Sequence, residues 1–110
     1  MELKEKKCLP CEAGIKPIQA DEAKTLLLEL NDWVLSPDEQ KIRRIIKFKN
    51  YYQTMAFVNA IAWMAHQENH HPDLNVSYNQ CIVEYSTHAI GGLSKNDFIC
   101  AAKVDSILKD

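Results

Sequence analysis

Two runs of alternating apolar and polar residues stand next to each other in residues 74–88, LNVSYNQCIVEYSTH. Alternation with a period of two is typical of β-strands, because successive side chains of a strand point to opposite faces of a sheet. Asn79-Gln80 is predicted to be a two-residue turn between the runs, since asparagine tolerates the positive φ that tight hairpins need. The stretch therefore predicts an antiparallel hairpin. One face of its second strand is predicted to carry Cys81, Val83, Tyr85 and Thr87.

The segments before this hairpin predict two helices and another strand pair. A first helix is expected over Asp21–Leu30 with Asp21 as its cap, and a second from Asn50 to Glu68, where apolar residues recur every three to four positions. Short strands are predicted at Trp33–Leu35 and Lys41–Lys49. The second of these is expected to bury Ile42, Ile46 and Phe48 and to expose Arg43, Lys47 and Lys49, with Ile45 breaking the alternation.

The segment after the hairpin predicts one more helix. Gly91-Gly92 is read as a flexible break, and Ser94-Lys95-Asn96-Asp97 resembles a capping box, with aspartate in place of the usual Glu or Gln. The resulting order is α-β-β-α-β-β-α. It predicts an α+β fold: a single two-layer domain whose four-stranded antiparallel sheet carries three helices on one face. Residues 1–17 are predicted to be a loosely ordered leader, and residues 18–110 the folded domain.

Composition and charge exclude several classes of protein. The chain has 110 residues, of which 46% are hydrophobic and 25% charged, as in ordinary globular domains. The net charge of −2 and the lack of a long basic run argue against binding to nucleic acid or to an anionic membrane. No stretch approaches the roughly 20 apolar residues of a membrane span, and MELKEKKCLP has no apolar signal core. We therefore expect a cytoplasmic protein.

The four cysteines are Cys8, Cys11, Cys81 and Cys100. Cys8 and Cys11 form a C-x-x-C, which can be half of a zinc site or a redox pair. No second C-x-x-C is present, and nothing strand-like precedes the first one, as a redox pair usually requires. The interpretation that remains is two reduced thiols in the leader.

All four histidines fall between residues 66 and 88. Histidine changes charge near neutral pH, so that it can both accept and give protons. His70 and His71 follow the second helix, and His88 ends the hairpin. Because the ends of neighbouring elements commonly meet at one edge of a sheet, we expect these three imidazoles around one cleft.

Other interpretations of these residues are structural or metal-based. His66 can be a solvated residue on a helix face, Asp97 a capping acid, and Tyr78 a packing residue of the hairpin. A zinc site from His66, His70 and His88 is a further alternative, because an i,i+4 histidine pair on a helix can bind zinc. The zinc signature H-E-x-x-H would place glutamate next to the first histidine, and Gln67 stands there instead. No metal is therefore predicted.

The spacing His66-x3-His70-His71-Pro72-x5-Tyr78-x9-His88-x8-Asp97 resembles the signature of the pterin-4a-carbinolamine dehydratases. The flanking stretches NVSYNQC and STHAIGGLSKND agree with it, as does Trp33 after the first helix. The resemblance covers roughly residues 20–108. Many members carry glutamate at the position of His66, so no acid/base role is transferred to this residue.

The resemblance implies a hydro-lyase that dehydrates 4a-hydroxytetrahydrobiopterin to quinonoid dihydropterin during pterin recycling. It implies no cofactor, a functional link to an aromatic amino acid hydroxylase, and a homodimer or homotetramer. The implied acid/base residues are His70, His71 and His88. The implied pterin-binding residues are Asn69, His70, His71, Ser86, Thr87 and His88, with His66 and Asp97 in support. The alternative function is a protein-interaction module, since animal relatives also act as dimerisation partners of a transcription factor.

Overall fold

The computed structural model describes residues 2–9 and 16–109. Its helices are α1 (Ala20–Leu27), α2 (Tyr51–Glu68) and α3 (Lys95–Leu108). Its strands are β1 (Val34–Leu35), β2 (Ile42–Lys47), β3 (Asp73–Val76) and β4 (Gln80–Tyr85). All strand pairs are antiparallel, and the spatial order is β1-β2-β4-β3. The predicted α+β fold and the α-β-β-α-β-β-α order are confirmed.

The two central strands have one buried and one solvent-facing side. Ile42 pairs with Tyr85 and Ile46 with Cys81, and all four side chains are buried beneath the helices. Ile45 points to the opposite side and is 50% exposed. The predicted faces of β2 are thus confirmed for Ile42 and Ile46, and the helices cover this apolar side. The strand ends at Lys47, two residues before the predicted limit, and Phe48 lies beyond it and is half-buried.

Helix α1 begins one residue earlier and ends three residues earlier than predicted. Its N-cap is Gln19, which makes no side-chain capping hydrogen bond, so Asp21 is not the cap. Asp21 lies instead in the first turn, where a negative charge interacts favourably with the helix dipole. Leu30 is buried although it lies beyond the helix. Leu30 is apolar because it packs in the core. Its spacing from the apolar residues of α1 therefore led the sequence analysis to extend the helix to Leu30.

Helix α2 has the ends that the sequence indicates. The side chain of Asn50 accepts a hydrogen bond from the backbone N–H of Gln53, which caps the first turn. Asn69 ends the helix with a left-handed backbone, at φ 53°. This reversal turns the chain towards β3, and it puts the residues that follow at the end of the sheet.

The hairpin turn differs from the prediction. Residues 77–79 connect β3 to β4, and the backbone N–H of Ser77 donates to the carbonyl of Gln80. The predicted two-residue turn at Asn79-Gln80 is wrong, because Gln80 already pairs with Lys47 in the sheet. Tyr78 therefore lies in the turn, with a side chain that is 64% exposed.

Strand β4 ends before the predicted limit. Thr87 makes an isolated bridge to Gly92, and a 3₁₀ turn at His88–Ile90 fills the loop between them. Gly91 ends this turn at φ 66°. A Cβ atom on Gly92 would lie 2.8 Å from Cβ of Pro17, so this position needs glycine. Gly91-Gly92 is therefore not a flexible break, as predicted, but part of a loop that the bridge between Thr87 and Gly92 closes.

Helix α3 lies at the centre of the core. The predicted capping box is confirmed: Ser94 accepts from the backbone of Asp97, and the carboxylate of Asp97 accepts from the backbone N–H of Ser94. Phe98, Cys100 and Val104 are fully buried. The capped end of α3 is thereby fixed next to the ends of α2 and β4.

The N-terminal segment (residues 2–9) packs against α3. Leu3 is 3% exposed and belongs to the core, and Lys103 of α3 donates to the backbone carbonyl of Lys4. The division of the chain into a leader and a domain at residue 17 remains a prediction. Among the described residues, no helix has both the length and the apolar character needed to cross a membrane.

Candidate active site

A cleft of about 370 Å³ lies where the ends of α2 and β4 meet the start of α3. Its volume falls in the range of small-molecule sites, roughly 300–1,000 Å³. The predicted site residues that line it are Asn69, His70, His71, Ser86, Thr87 and His88. The structure thus brings together the three imidazoles that lie up to 18 positions apart in the sequence.

His70 is the most enclosed of the histidines. Its Nε2 atom lies 2.6 Å from Oδ1 of Asp97, and its ring stacks on the ring of Tyr85 with centroids 5.6 Å apart. Because a carboxylate oxygen only accepts, the contact places a proton on Nε2 and leaves Nδ1 as an acceptor in the neutral ring. Burial raises the pKa of Tyr85, so that the surface beneath His70 remains a neutral phenol.

Asp97 is fully buried and uses both of its carboxylate oxygens. Oδ1 faces His70, whereas Oδ2 accepts from the hydroxyl of Thr87 at 2.8 Å and from the backbone N–H of Ser94 at 2.9 Å. The hydroxyls of Thr87 and Ser94 also lie 2.7 Å apart. The capping acid of α3 and the partner of a histidine are therefore one residue.

His71 and His88 are both exposed at the surface of the cleft. His71 lies in the connection between α2 and β3, and His88 begins the 3₁₀ turn after β4. Exposed imidazoles exchange protons with water without a relay. The arrangement therefore offers one group that can deliver a proton and another that can accept one, as general acid–base catalysis requires.

His66 lies outside this cleft. It is exposed on α2, with its ring centroid 5.6 Å from that of Trp63, and it lines a shallow groove of about 400 Å³ beside Pro72 and Leu74. Asn69, His70 and His71 line both hollows and form the ridge between them. His66 could therefore affect the cleft only indirectly, through the positions of Asn69, His70 and His71.

The polar groups of Thr87 are used within the protein. Its backbone N–H donates to the carbonyl of Gly92, its own carbonyl accepts from Ile90, and its hydroxyl bonds to Asp97. Thr87 therefore stabilises the loop that presents Ser86 and His88. The predicted role of Thr87 in pterin binding remains a prediction.

Five further residues complete the cleft, and none of them was assigned to the site from the sequence: Cys8, Leu9, Glu68, Ala89 and Asn96. Glu68 accepts from the backbone N–H of Cys8 at 2.9 Å. The side chain of Asn96 accepts from the N–H of Leu9 at 3.0 Å and donates to the carbonyl of the same residue. These contacts join residues 60 and 87 positions apart, and no local motif signals them.

The sequence left a zinc site as an alternative. Within residues 2–9 and 16–109, no three His, Cys, Asp or Glu side chains are grouped so that they could hold a metal ion. Nε2 of His70 is occupied by Asp97, and His66 lies outside the cleft. The Cys8-x-x-Cys11 half-site cannot be described as a pair, because Cys11 lies outside the described residues.

Residues 16–107 match the family model described as pterin 4 alpha carbinolamine dehydratase. A protein of Nitrosomonas eutropha named "Putative pterin-4-alpha-carbinolamine dehydratase" is 61% identical over 108 residues, which cover 97% of this chain and 94% of that protein.

Two solved structures share the fold. A transcriptional coactivator/pterin dehydratase from Brucella melitensis has a TM-score of 0.80 at 27% identity, and the match covers 84% of this chain and 98% of that one. A pterin dehydratase-like protein identified as a RuBisCO assembly factor in the alpha-carboxysome has a TM-score of 0.63 at 21% identity, over 73% of this chain and 93% of that one. The second likeness concerns the fold alone.

Proposed function

The chain belongs to the pterin-4a-carbinolamine dehydratase family, and we propose that it removes water from 4a-hydroxytetrahydrobiopterin to give quinonoid dihydropterin. The observation that carries this proposal is the single cleft lined by His70, His71 and His88. A family match alone would also fit a chain that had lost its catalytic residues. Here three groups able to transfer protons line one hollow of suitable volume.

The reaction needs two proton transfers at adjacent atoms. The C4a–O bond breaks as the hydroxyl receives a proton and leaves as water, N5 loses its proton, and a C4a–N5 double bond forms. The atoms balance without an oxidant or a reductant. A group that gives a proton and a group that accepts one are sufficient, and imidazoles serve both tasks near pH 7.

We assign the proton transfers to the three histidines together. They differ in their exposure to water and in their contacts with the protein. His71 and His88 are exposed and can be reprotonated directly from water after each turnover. His70 is held by Asp97 through Nε2, so that only Nδ1 is free of this contact and able to meet the substrate. Its fixed ring is suited to orienting the pterin as well as to accepting a proton.

The flat pterin ring has a polar edge that needs hydrogen-bond partners. We assign its binding to Asn69 and Ser86, together with the histidines beside them, on the two segments that flank the cleft. Thr87 belongs to the same wall but contributes through the loop that it holds in place. Ground-state binding through these residues would set KM, whereas the histidines would set kcat.

The cellular setting forms part of the proposal. The substrate arises when an aromatic amino acid hydroxylase uses tetrahydropterin, so this enzyme would act next to such a hydroxylase in pterin recycling. We place it in the cytoplasm, where thiols such as those of Cys8, Cys81 and Cys100 are ordinarily kept reduced and disulfides are transient. We also expect a homodimer or homotetramer.

An interaction module on the same fold is not favoured as the main function. The two structural neighbours are a transcriptional coactivator/pterin dehydratase and an assembly factor, and these are properties of those proteins. A pure interaction module would have no need for three histidines around a cleft or for a buried carboxylate behind one of them.

Binding of a stable pterin tests the substrate class. Titration of the protein with 7,8-dihydrobiopterin, followed by calorimetry, should give saturable binding with one site per chain. The Ser86→Ala variant should bind more weakly, by about 3- to 10-fold for the loss of one hydrogen bond. Ser77→Ala, in the hairpin turn, is the matched control and should bind like the wild type. No saturable binding by the wild type would contradict the proposal.

A further inference from the structure

Two cysteine thiols far apart in the sequence meet behind the wall of the cleft. Sγ of Cys8 lies 3.3 Å from Sγ of Cys100, although the two residues are 92 positions apart. Cys8 lines the cleft and is half-buried, whereas Cys100 lies in α3 and is fully buried. We propose that Cys8 and Cys100 form a reversible disulfide that fastens the N-terminal segment to α3 at the rim of the cleft.

The two sulfurs are held near each other by contacts that do not involve them. Leu3 is buried in the core, the N–H of Cys8 donates to Glu68, and Asn96 bonds to both backbone groups of Leu9. Glu68 is in turn paired with Lys103 at 3.7 Å. These contacts position the N-terminal segment before any disulfide forms. Little further conformational entropy is therefore lost when the two sulfurs react.

The distance that remains to be closed is small. A disulfide has an S–S length of about 2.05 Å, so the sulfurs must approach by about 1.3 Å. Cys8 can supply this movement, because it lies in a short segment near the surface and not in a regular element. Cys100 is fixed within α3, where its Sγ also lies 3.9 Å from the carbonyl of His70.

Burial decides the order of the chemical steps. The thiolate of Cys8, the accessible member, attacks one sulfur of oxidised glutathione and expels one glutathione thiolate. Cys100 then loses its proton and attacks the sulfur of Cys8 in the mixed disulfide, which expels the second glutathione. Two protein thiols are oxidised, one molecule of oxidised glutathione is reduced to two thiols, and the two protons end on the departing glutathiones.

The pKa of Cys100 supports this order. The hydrogen bond that the Cys100 thiol donates to the sulfur of Cys8, and the burial of Cys100, both raise its pKa above the ordinary value. Cys100 is therefore a poor first nucleophile. Once Cys8 carries glutathione, its sulfur is neutral and a weak acceptor, so the larger of these two causes is weakened and Cys100 becomes a better nucleophile in the second step.

The competing pairing is Cys8 with Cys11, the partner that the C-x-x-C spacing suggests. The contact between the thiols of Cys8 and Cys100 indicates instead that Cys100 is the partner of Cys8. The two pairings differ in the loop that they close. A Cys8–Cys100 bond closes most of the chain into a loop and should raise the melting temperature, whereas a Cys8–Cys11 bond closes only four residues.

The test uses the full chain, reduced and then exposed to a series of glutathione redox buffers. We expect two of the four thiols to disappear, the mass to fall by two hydrogen atoms, and peptide mapping to find Cys8 linked to Cys100. The oxidised protein should melt at least about 5 °C higher than the reduced protein. Dithiothreitol should reverse both changes.

Three variants separate the assignments. Cys8→Ser and Cys100→Ala should each abolish the linkage and the rise in melting temperature, whereas the control Cys11→Ser should retain both. Cys8→Ser changes a residue at the rim of the cleft, so this variant should fold, which circular dichroism can check. It therefore still tests the proposal if Cys100→Ala does not fold. A Cys8–Cys11 linkage, or four free thiols in the folded wild type under the most oxidising buffer, would overturn the proposal.

Discussion

Nε2 of His70 lies 2.6 Å from Oδ1 of Asp97, and the other oxygen of the same carboxylate caps α3. One buried acid thus couples the orientation of a histidine in the cleft to the start of the central helix. The capping box that the sequence predicts is therefore also part of the site. A helix cap is rigid, so the histidine that it holds is rigid as well.

Replacement of Asp97 by asparagine should reduce turnover more than binding. If the asparagine oxygen keeps the bond to the N–H of Ser94, its NH₂ group faces His70, and the ring must present an acceptor where it now presents a proton. We expect kcat to fall about 10²-fold and the unfolding free energy to fall by about 1–3 kcal/mol. Stopped-flow kinetics and urea titration measure the two effects.

The matched control is Asp21→Asn in the exposed first turn of α1. It should leave kcat unchanged and alter stability by less than about 1 kcal/mol. An Asp97→Asn variant with wild-type kcat and an unchanged pH profile would mean that Asp97 serves only the helix cap.

His71→Ala and His88→Ala should each lower turnover by about 10- to 10⁴-fold, the range for the loss of one acid/base group. Both side chains are exposed, so the variants should fold and keep their circular dichroism spectra. Gln67→Ala, at an exposed position of α2 outside the cleft, provides the control. Wild-type rates in both folded histidine variants would remove these residues from the mechanism.

Loss of the side chain of Asn96 should weaken substrate binding and leave turnover nearly intact. This side chain holds both backbone groups of Leu9, which lines the cleft, and α3 keeps its cap at Ser94. We expect Asn96→Ala to raise KM by about 3- to 10-fold, the equivalent of one hydrogen bond. Asn59→Ala, exposed on α2, is the matched control. An unchanged KM in Asn96→Ala would show that the position of Leu9 is irrelevant to binding.

The sequence predicted the sheet and helices because their signals are local. Alternation in β4 and the 3.6-residue period in α2 need no knowledge of distant residues, and both elements exist as predicted, although β4 ends at Tyr85 and not at His88. The errors occurred at ends. Leu30 looked helical because it is buried, and Asn79-Gln80 looked like a turn because asparagine favours one. In both places a tertiary contact decided the backbone.

For the site, the sequence identified the histidines but not the wall beside them. His70, His71 and His88 are scarce titratable residues with recognisable spacing, so they could be singled out one by one. The contacts of Cys8 with Glu68 and of Leu9 with Asn96 join residues more than 55 positions apart. Such contacts depend on how the N-terminal segment packs against α3, which no short motif encodes.

The outer face of the sheet leads us to expect self-association. Ile45 and Ile82 are directly paired there, Ile45 is 50% exposed, and Val34 is exposed beside Arg43. Apolar side chains grouped on an open sheet face are commonly buried between subunits, and two-fold symmetry is the usual arrangement. Light scattering at micromolar concentration should give two or four times the chain mass of 12.6 kDa.

The Ile45→Glu variant should shift this mass towards the monomer while the fold is retained, because Ile45 faces away from the core. The exposed Lys47→Glu variant on the same face controls for charge alone. A wild-type mass near that of one chain, constant over a hundredfold range of concentration, would refute the predicted oligomer.

The central claim is that the histidine cleft dehydrates a 4a-hydroxytetrahydropterin. The most direct measurement generates this carbinolamine rapidly, adds the protein, and follows its ultraviolet band to the quinonoid dihydropterin, with and without a metal chelator. We predict saturable acceleration over the spontaneous reaction, equal rates in chelator, and a loss of about 10- to 10⁴-fold in His88→Ala. A folded wild-type protein that leaves the spontaneous rate unchanged at every concentration would contradict the claim.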